Sequence, residues 1–114
     1  MASALPVLVQ LLRDPLEKTR ANAAGAIGNF SRNADTLDGK LVAYDAPGRL
    51  FHLVVSEPNP SHITRVALFS LGSLANHPLC RAVLQRINIR DRLVGHMSDA
   101  ISHQYLKRLL KKLT

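Results

Sequence analysis

Apolar positions recur along this chain at spacings of three and four rather than two. Ala23, Ile27 and Phe30 form one trio, Ala67, Leu71 and Leu74 a second, and Leu106, Leu110 and Leu113 a third. Steps of four and three return to the same side of an α-helix, so each trio predicts a helix with one buried stripe. The segments around the trios echo one another. TRANAAGAIGNFSRN, from Thr19, is followed 44 residues later by ITRVALFSLGSLANH, and SHQYLKRLLKKL begins 39 residues after that. A shorter unit repeats as well: ALPVLVQLLRDP, ending at Pro15, returns after 43 residues as PGRLFHLVVSEP and after a further 42 as the weaker IRDRLVGHMSDA. Leu37, Leu41 and Val42 correspond to Leu79, Val83 and Leu84, 42 residues on.

No segment alternates with period two, and the breakers fall between the units at Asp14-Pro15, Asp45-Ala46-Pro47-Gly48, Glu57-Pro58-Asn59-Pro60 and His77-Pro78. The pattern predicts an all-α chain of helices near 3–13, 18–32, 35–44, 48–56, 61–76, 78–87, 89–97 and 101–113. Ser61 suits the cap of the fifth, and Pro78 the first turn of the sixth. The second helix is crowded with small residues, among them Ala21, Ala24, Gly25 and Gly28. Its glycines each cost roughly 1 kcal/mol relative to alanine, which predicts close approach by neighbouring helices and the most enclosed place in the stack. The expected organisation is one domain over residues 1–114, with units near 1–15 (partial), 16–58, 59–100 and 101–114 (partial).

Composition narrows the function classes. At 46% hydrophobic and 20% charged residues, the chain fits a folded domain and neither disorder nor collagen. No apolar run approaches the ~20 residues that cross a bilayer, and no signal peptide opens the chain, so a soluble, cytoplasmic protein is expected. The single cysteine, Cys80, cannot form an internal disulfide. Beside Arg81 a reactive thiol is conceivable, but a small residue packed at a helix start is the better reading. Aromatic content of 4% without Trp disfavours stacking on single-stranded nucleic acid.

The formal charge of +7 is concentrated at one end. Residues 81–114 hold Arg81, Arg86, Arg90, Arg92, Lys107, Arg108, Lys111 and Lys112 against Asp91 and Asp99, whereas residues 1–80 are nearly balanced. Such a basic pole attracts acidic partners. Catalytic constellations are missing: there is no GxxxxGK[ST], HExxH or GxSxG, and no Gly-rich loop, HRD or DFG of a kinase. Gly25 and Gly28 have the spacing of a GxxG clamp but lie inside a helical pattern, where packing explains them better. His52, His62, His77, His96 and His103 are dispersed, with no i, i+4 pair and no acidic cluster, so neither metal nor cofactor is expected.

A period of 42 to 44 with short, medium and long helices falls in the armadillo and HEAT class. The residues agree: ALPVLVQLL followed by AAGAIGNFSRN, and later RVALFSLGSLANHP, resembles the armadillo repeat over nearly the whole chain. KTRANAAGAIGNFSRN with VALFSLGSLANHPLCR is similar to the C-terminal armadillo region of Fused-type serine/threonine kinases. The resemblance implies an armadillo/HEAT-like right-handed α-solenoid of about two and a half to three repeats. It implies a non-catalytic protein-interaction scaffold attached to a kinase domain that this chain lacks. It also implies roles in cilium or flagellum assembly, cytokinesis or signalling, with a place at the cilium or microtubules.

In armadillo proteins the third helix of each repeat lines the groove. By resemblance this puts Ala21, Gly25 and Asn29, then Arg65, Phe69 and Ser73, then Gln104, Arg108 and Lys112 along it, with Asn22 a further candidate. Armadillo repeats that hold nuclear localisation peptides share a Trp and an Asn four residues apart. Only Asn29 matches, with Gly25 and Phe69 replacing the Trp and Ser73 the second Asn. Cationic peptides are therefore disfavoured, and an acidic or phosphorylated protein partner is expected, met by charge-assisted hydrogen bonds from Arg108 and Lys112. No small-molecule substrate is expected. The alternative is polyanion binding, to nucleic acid or an anionic membrane, through the basic C-terminal third and the amphipathic last helix.

Leu5, Val7, Leu8, Val9, Leu11 and Leu12 are expected to offer apolar surface on more than one side of the first helix. This suggests the C-terminal end of a longer array, or a homodimer through that helix. The last helix suits a cap, with Asp99 near its start and lysines along its outer side and end.

Overall fold

The computed structural model describes residues 4–32, 38–56, 62–93 and 100–114. Its helices begin and end where the sequence punctuates them. Helix α1 (Leu5–Leu11) has Pro6 in its first turn, where a missing N–H costs nothing. In α2 (Glu17–Arg32), an acidic residue at the start and Arg32 in the last turn both suit the helix dipole. Helices α3 (Asp38–Ala43) and α4 (Ala46–Ser56) are divided at Asp45, which takes a left-handed φ of 58°. Pro47 at the second position lets α4 start two residues earlier than predicted. After α5 (His62–Leu74) come α6 (Pro78–Ile87) and α7 (Ile89–Leu93). Asn88 separates the last two at φ 62°, a conformation asparagine tolerates, and its side-chain amide donates to Asp91 at 2.9 Å. The chain closes with α8 (Ala100–Leu113), with Lys111 and Lys112 in its last turn. Among the described residues there is no strand. The readings on Leu37, the breaker at 57–60, the Ser61 cap, His96 and Asp99 fall outside the described residues.

The long helices α2, α5 and α8 stack in order, with α5 in the middle. Behind them α1 packs on α2, α4 on α5, and α3 on α6. The result measures 36 × 34 × 19 Å, and its thin dimension is two helix diameters of about 10 Å: a two-layered α-solenoid. The predicted trios line its interior except for Phe30, which is half-buried and outside the core cluster. Ala23, Ile27, Ala67, Leu71, Leu74 and Leu106 are buried, and Leu110 and Leu113 pack against them.

Two expectations are corrected. The most enclosed helix is α5, not α2: Ile63, Thr64, Ala67, Leu68, Ser70, Leu71 and Leu74 are all buried in its thirteen residues. Among the described residues it packs against α2, α4 and α8, whereas α2 packs mainly against α1 and α5. The α1 residues face mainly one way. Leu5, Val9 and Leu12 enter the core, Leu8 and Leu11 pack against it, and of the six only Val7 stays more than half exposed, at 55%.

The small residues of α2 do bring a helix close, at one point. A Cβ on Gly28 would lie 2.5 Å from the Ser70 hydroxyl oxygen and 3.1 Å from the Ser70 Cα, so a larger residue there would have to displace Ser70. The Ser70 hydroxyl donates to the carbonyl of Ala24 at 2.6 Å and ties α5 to α2 across the same contact.

Two buried polar residues join successive layers. Asp38, at the start of α3, accepts the amide N–H of Leu79 at 2.9 Å and of Cys80 at 3.1 Å, capping the N-terminus of α6. His77, just before α6, has its Nε2 2.6 Å from the carbonyl oxygen of Ser31 near the end of α2. A carbonyl only accepts, so Nε2 carries the hydrogen. His77 itself leaves α6 without a side-chain cap, which is the place Asp38 fills.

Candidate functional site

The stacking of α2, α5 and α8 decides which predicted groove residues meet. Residues four apart on α5, Phe69 and Ser73, project between that helix and α8, where Arg108 and Lys112 are also four apart. These four line a pocket of about 490 Å³. Phe69 and Tyr105 are in edge-to-face contact along its wall, with centroids 6.2 Å apart, and the buried Leu68 and Leu109 lie beneath them. Phe69 is 43% exposed.

The rim is cationic. The Arg32 guanidinium, at the end of α2, lies over the Phe69 ring at 5.7 Å from its centroid. From α8, Arg108, Lys111 and Lys112 reach the opposite side, and the Lys112 ammonium donates to the carbonyl of Gly72 at 2.9 Å. Among the described residues no carboxylate lines the pocket.

The remaining candidates lie elsewhere. Asn29 and Gln104 are exposed and Arg65 is half-buried, all outside the pocket. Asn22 is exposed towards the other end of α2, beside Lys18 and His62. Ala21 and Gly25 are corrected as groove positions. Ala21 is buried, and a Cβ on Gly25 would touch Val66 of α5 at 3.6 Å, so both face the neighbouring helix. The carry-over by steps of four missed Arg32, Gly72, Asn76, Tyr105 and Lys111. A step of three reaches all of them: Arg32 follows Asn29, Gly72 follows Phe69, Asn76 follows Ser73, and Tyr105 and Lys111 flank Arg108 at that distance.

The other titratable groups serve the fold. Burial alone would raise the Asp38 carboxyl, but the Leu79 amide, the thiol and amide of Cys80 and the nearby His77 outweigh it and hold it below its ordinary value. Burial pushes the Cys80 thiol well above the ordinary thiol range, and the hydrogen bond to Asp38 and its negative charge push it further. That environment corrects the conceivable effect of Arg81: the thiolate that reactivity requires is suppressed. His52, His62 and His103 are exposed. Among the described residues no three His, Cys, Asp or Glu side chains could hold a metal ion, and no helix is long and apolar enough to cross a membrane.

Comparison with known proteins fits this architecture. Residues 1–32, which include α1 and α2, match the family model of the armadillo/beta-catenin-like repeat. The chain is an armadillo-type α-solenoid. It is 33% identical over 93 residues to serine/threonine-protein kinase 36 of Pongo abelii, an alignment covering 82% of this chain. It is 38% identical over 77 residues to serine/threonine-protein kinase TIO of Arabidopsis thaliana, covering 57% of this chain. The chain spans only 7% and 6% of the lengths of these relatives. The likeness is therefore to a small, non-catalytic armadillo stretch of Fused-type kinases.

Proposed function

We propose that this solenoid is a docking module of a Fused-like kinase, holding a protein partner against the face where α5 meets α8. The observation that carries the reading is the pocket itself. Phe69 is exposed and Tyr105 half-buried, and both rings border a pocket of about 490 Å³ framed by cations. The scaffold supplies rigidity: α5 is clamped to α2 by Ser70, and the layers behind are tied by Asp38 and His77. A preformed surface loses little conformational freedom on binding. The excess of cations makes the partner acidic or phosphorylated.

In the full-length protein such docking would place the kinase on a cytoplasmic structure. Resemblance to the Fused type points to a cilium, a flagellum or a microtubule array, in assembly, cytokinesis or signalling. The experiment compares the localisation of the full-length tagged protein with that of the same protein lacking residues 1–114. Redistribution of the deleted form supports docking. Identical localisation of the two overturns it.

A further inference from the structure

In the rear layer, α1 and α4 border two neighbouring cavities. One, of about 470 Å³, is lined by Arg13, Asp14, Arg20, Arg49 and His52. The other, of about 350 Å³, is lined by Val7, Val9 and Tyr44, and again by Arg13 and Arg49. The two arginines therefore stand where the cavities join. Arg49 and His52 are three apart on α4, so both look into the first cavity from one face of that helix. Part of this polar set is already used by the fold. Arg20 donates to the carbonyls of Asp14 and Pro15 at 2.9 and 3.0 Å, and the Asp14 carboxylate accepts the amide N–H of Leu16 at 2.9 Å, which together shape the turn after α1. The side chains of Arg13 and Arg49 have no hydrogen-bond or ion-pair partner among the described residues. Asp14 is the one carboxylate that lines either cavity among those residues, against three guanidinium groups.

Independently of the docking reading above, we infer that the seam between α1 and α4 binds a protein segment carrying a phosphoserine or phosphothreonine. Two like charges facing the same cavities repel, and an anion placed between them removes the repulsion and accepts N–H donors from both forks. A phosphate offers three acceptor oxygens and nearly two negative charges, so it can serve Arg13 and Arg49 together, where a carboxylate offers two oxygens and one charge. His52, exposed on the same helix face, adds a ring N–H donor. The second cavity makes the ligand a peptide. Val7 and Tyr44 are exposed along it and give an apolar wall for a side chain next to the phosphorylated residue, which a free phosphate would leave unused. Two cavities joined in line suit an extended chain, whereas the flat surface of a bilayer does not enter a groove.

The experiment is fluorescence anisotropy with the whole 114-residue chain and a labelled alanine-based peptide that carries one phosphoserine and a leucine on each side of it. The expected result is saturable binding that falls about tenfold for Arg13→Gln and at least as far for the double variant Arg13→Gln/Arg49→Gln. Arg49→Lys keeps the charge and loses the fork, so it should weaken binding by less than Arg49→Gln. Replacing the phosphoserine by glutamate should cost about tenfold, and replacing both leucines by alanine about threefold to tenfold. Lys107→Gln, an exposed site on α8, should leave the affinity unchanged. Circular dichroism melts check that each variant is folded, and the exposed Arg13 provides a reading even where the half-buried Arg49 does not tolerate change.

Four outcomes overturn the proposal. Equal affinity for the serine and phosphoserine peptides would show that the phosphate is not read, and equal loss in Lys107→Gln would show diffuse attraction to a basic chain. Loss in Phe69→Ala with none in the arginine variants would place the phosphopeptide in the pocket between α5 and α8, leaving the docking reading standing. Inorganic phosphate that displaces the peptide at the peptide's own concentration would show that the adjoining residues contribute nothing. Phosphatidylcholine vesicles containing a phosphoinositide that bind through Arg13 and Arg49 more tightly than the peptide would assign the seam to a membrane.

Discussion

The Nε2 of His77 lies 2.6 Å from the carbonyl oxygen of Ser31, 46 residues earlier in the chain. That separation is about one repeat, so the bond ties the end of one long helix to the start of the next layer. His77→Ala leaves a buried carbonyl without its donor, which costs about 1–3 kcal/mol. In a chain of this size that lowers the melting temperature by several degrees, read by thermal circular dichroism. His77→Gln, which keeps a donor, should recover part of the loss. A melting temperature unchanged in His77→Ala would contradict the role.

Asp38 performs the matching task at the other helix end. Its carboxylate is held below the ordinary value of 3.8, so the folded state binds that proton less tightly than the unfolded chain. The stabilisation is present above the ordinary value and is lost as pH falls through the lower, folded one. Urea unfolding of the wild type should therefore show a stability drop on the acid side that is shallower in Asp38→Asn. At neutral pH the variant should be less stable by about 1–3 kcal/mol.

Glycines at two places should respond to alanine in opposite directions. At Gly28 the new methyl group meets the backbone of Ser70, so Gly28→Ala should destabilise by about 1–3 kcal/mol despite alanine's better helix propensity. At Gly39 a Cβ meets nothing within 4 Å, and Gly39→Ala should stabilise by roughly 0.5–1 kcal/mol. Equal effects would mean that α2 and α5 are not in close contact at Gly28.

Cys80 should resist thiol reagents in the native chain. Its side chain is buried, and burial and Asp38 both suppress the thiolate. A colorimetric thiol assay at neutral pH should titrate it only after urea is added, and rapid modification of the folded chain would contradict its placement.

The fold was readable because its main signal is local. Ala67, Leu71 and Leu74 share a face by spacing alone, and the same spacing recurs in α2 and α8. What spacing leaves out is the neighbour. The rank of α5 over α2 depends on how many helices surround each, and the inward turn of Ala21 and Gly25 on where α5 lies. Asp38 and His77 meet partners about one repeat away, so neither bond has a local signature. The pocket was half legible. Phe69, Ser73, Arg108 and Lys112 follow from steps of four and Arg32, Tyr105 and Asn76 from steps of three, but which of the candidate positions meet is decided by helix stacking.

Docking where α5 meets α8 is tested by a backbone amide NMR titration of the chain with a glutamate-rich peptide. Shifts are expected to concentrate on residues 69–76 and 105–112, together with Arg32. Shifts spread along the outer basic surfaces of α6 and α8, or centred on Val7 and Tyr44 at the opposite end, would contradict it.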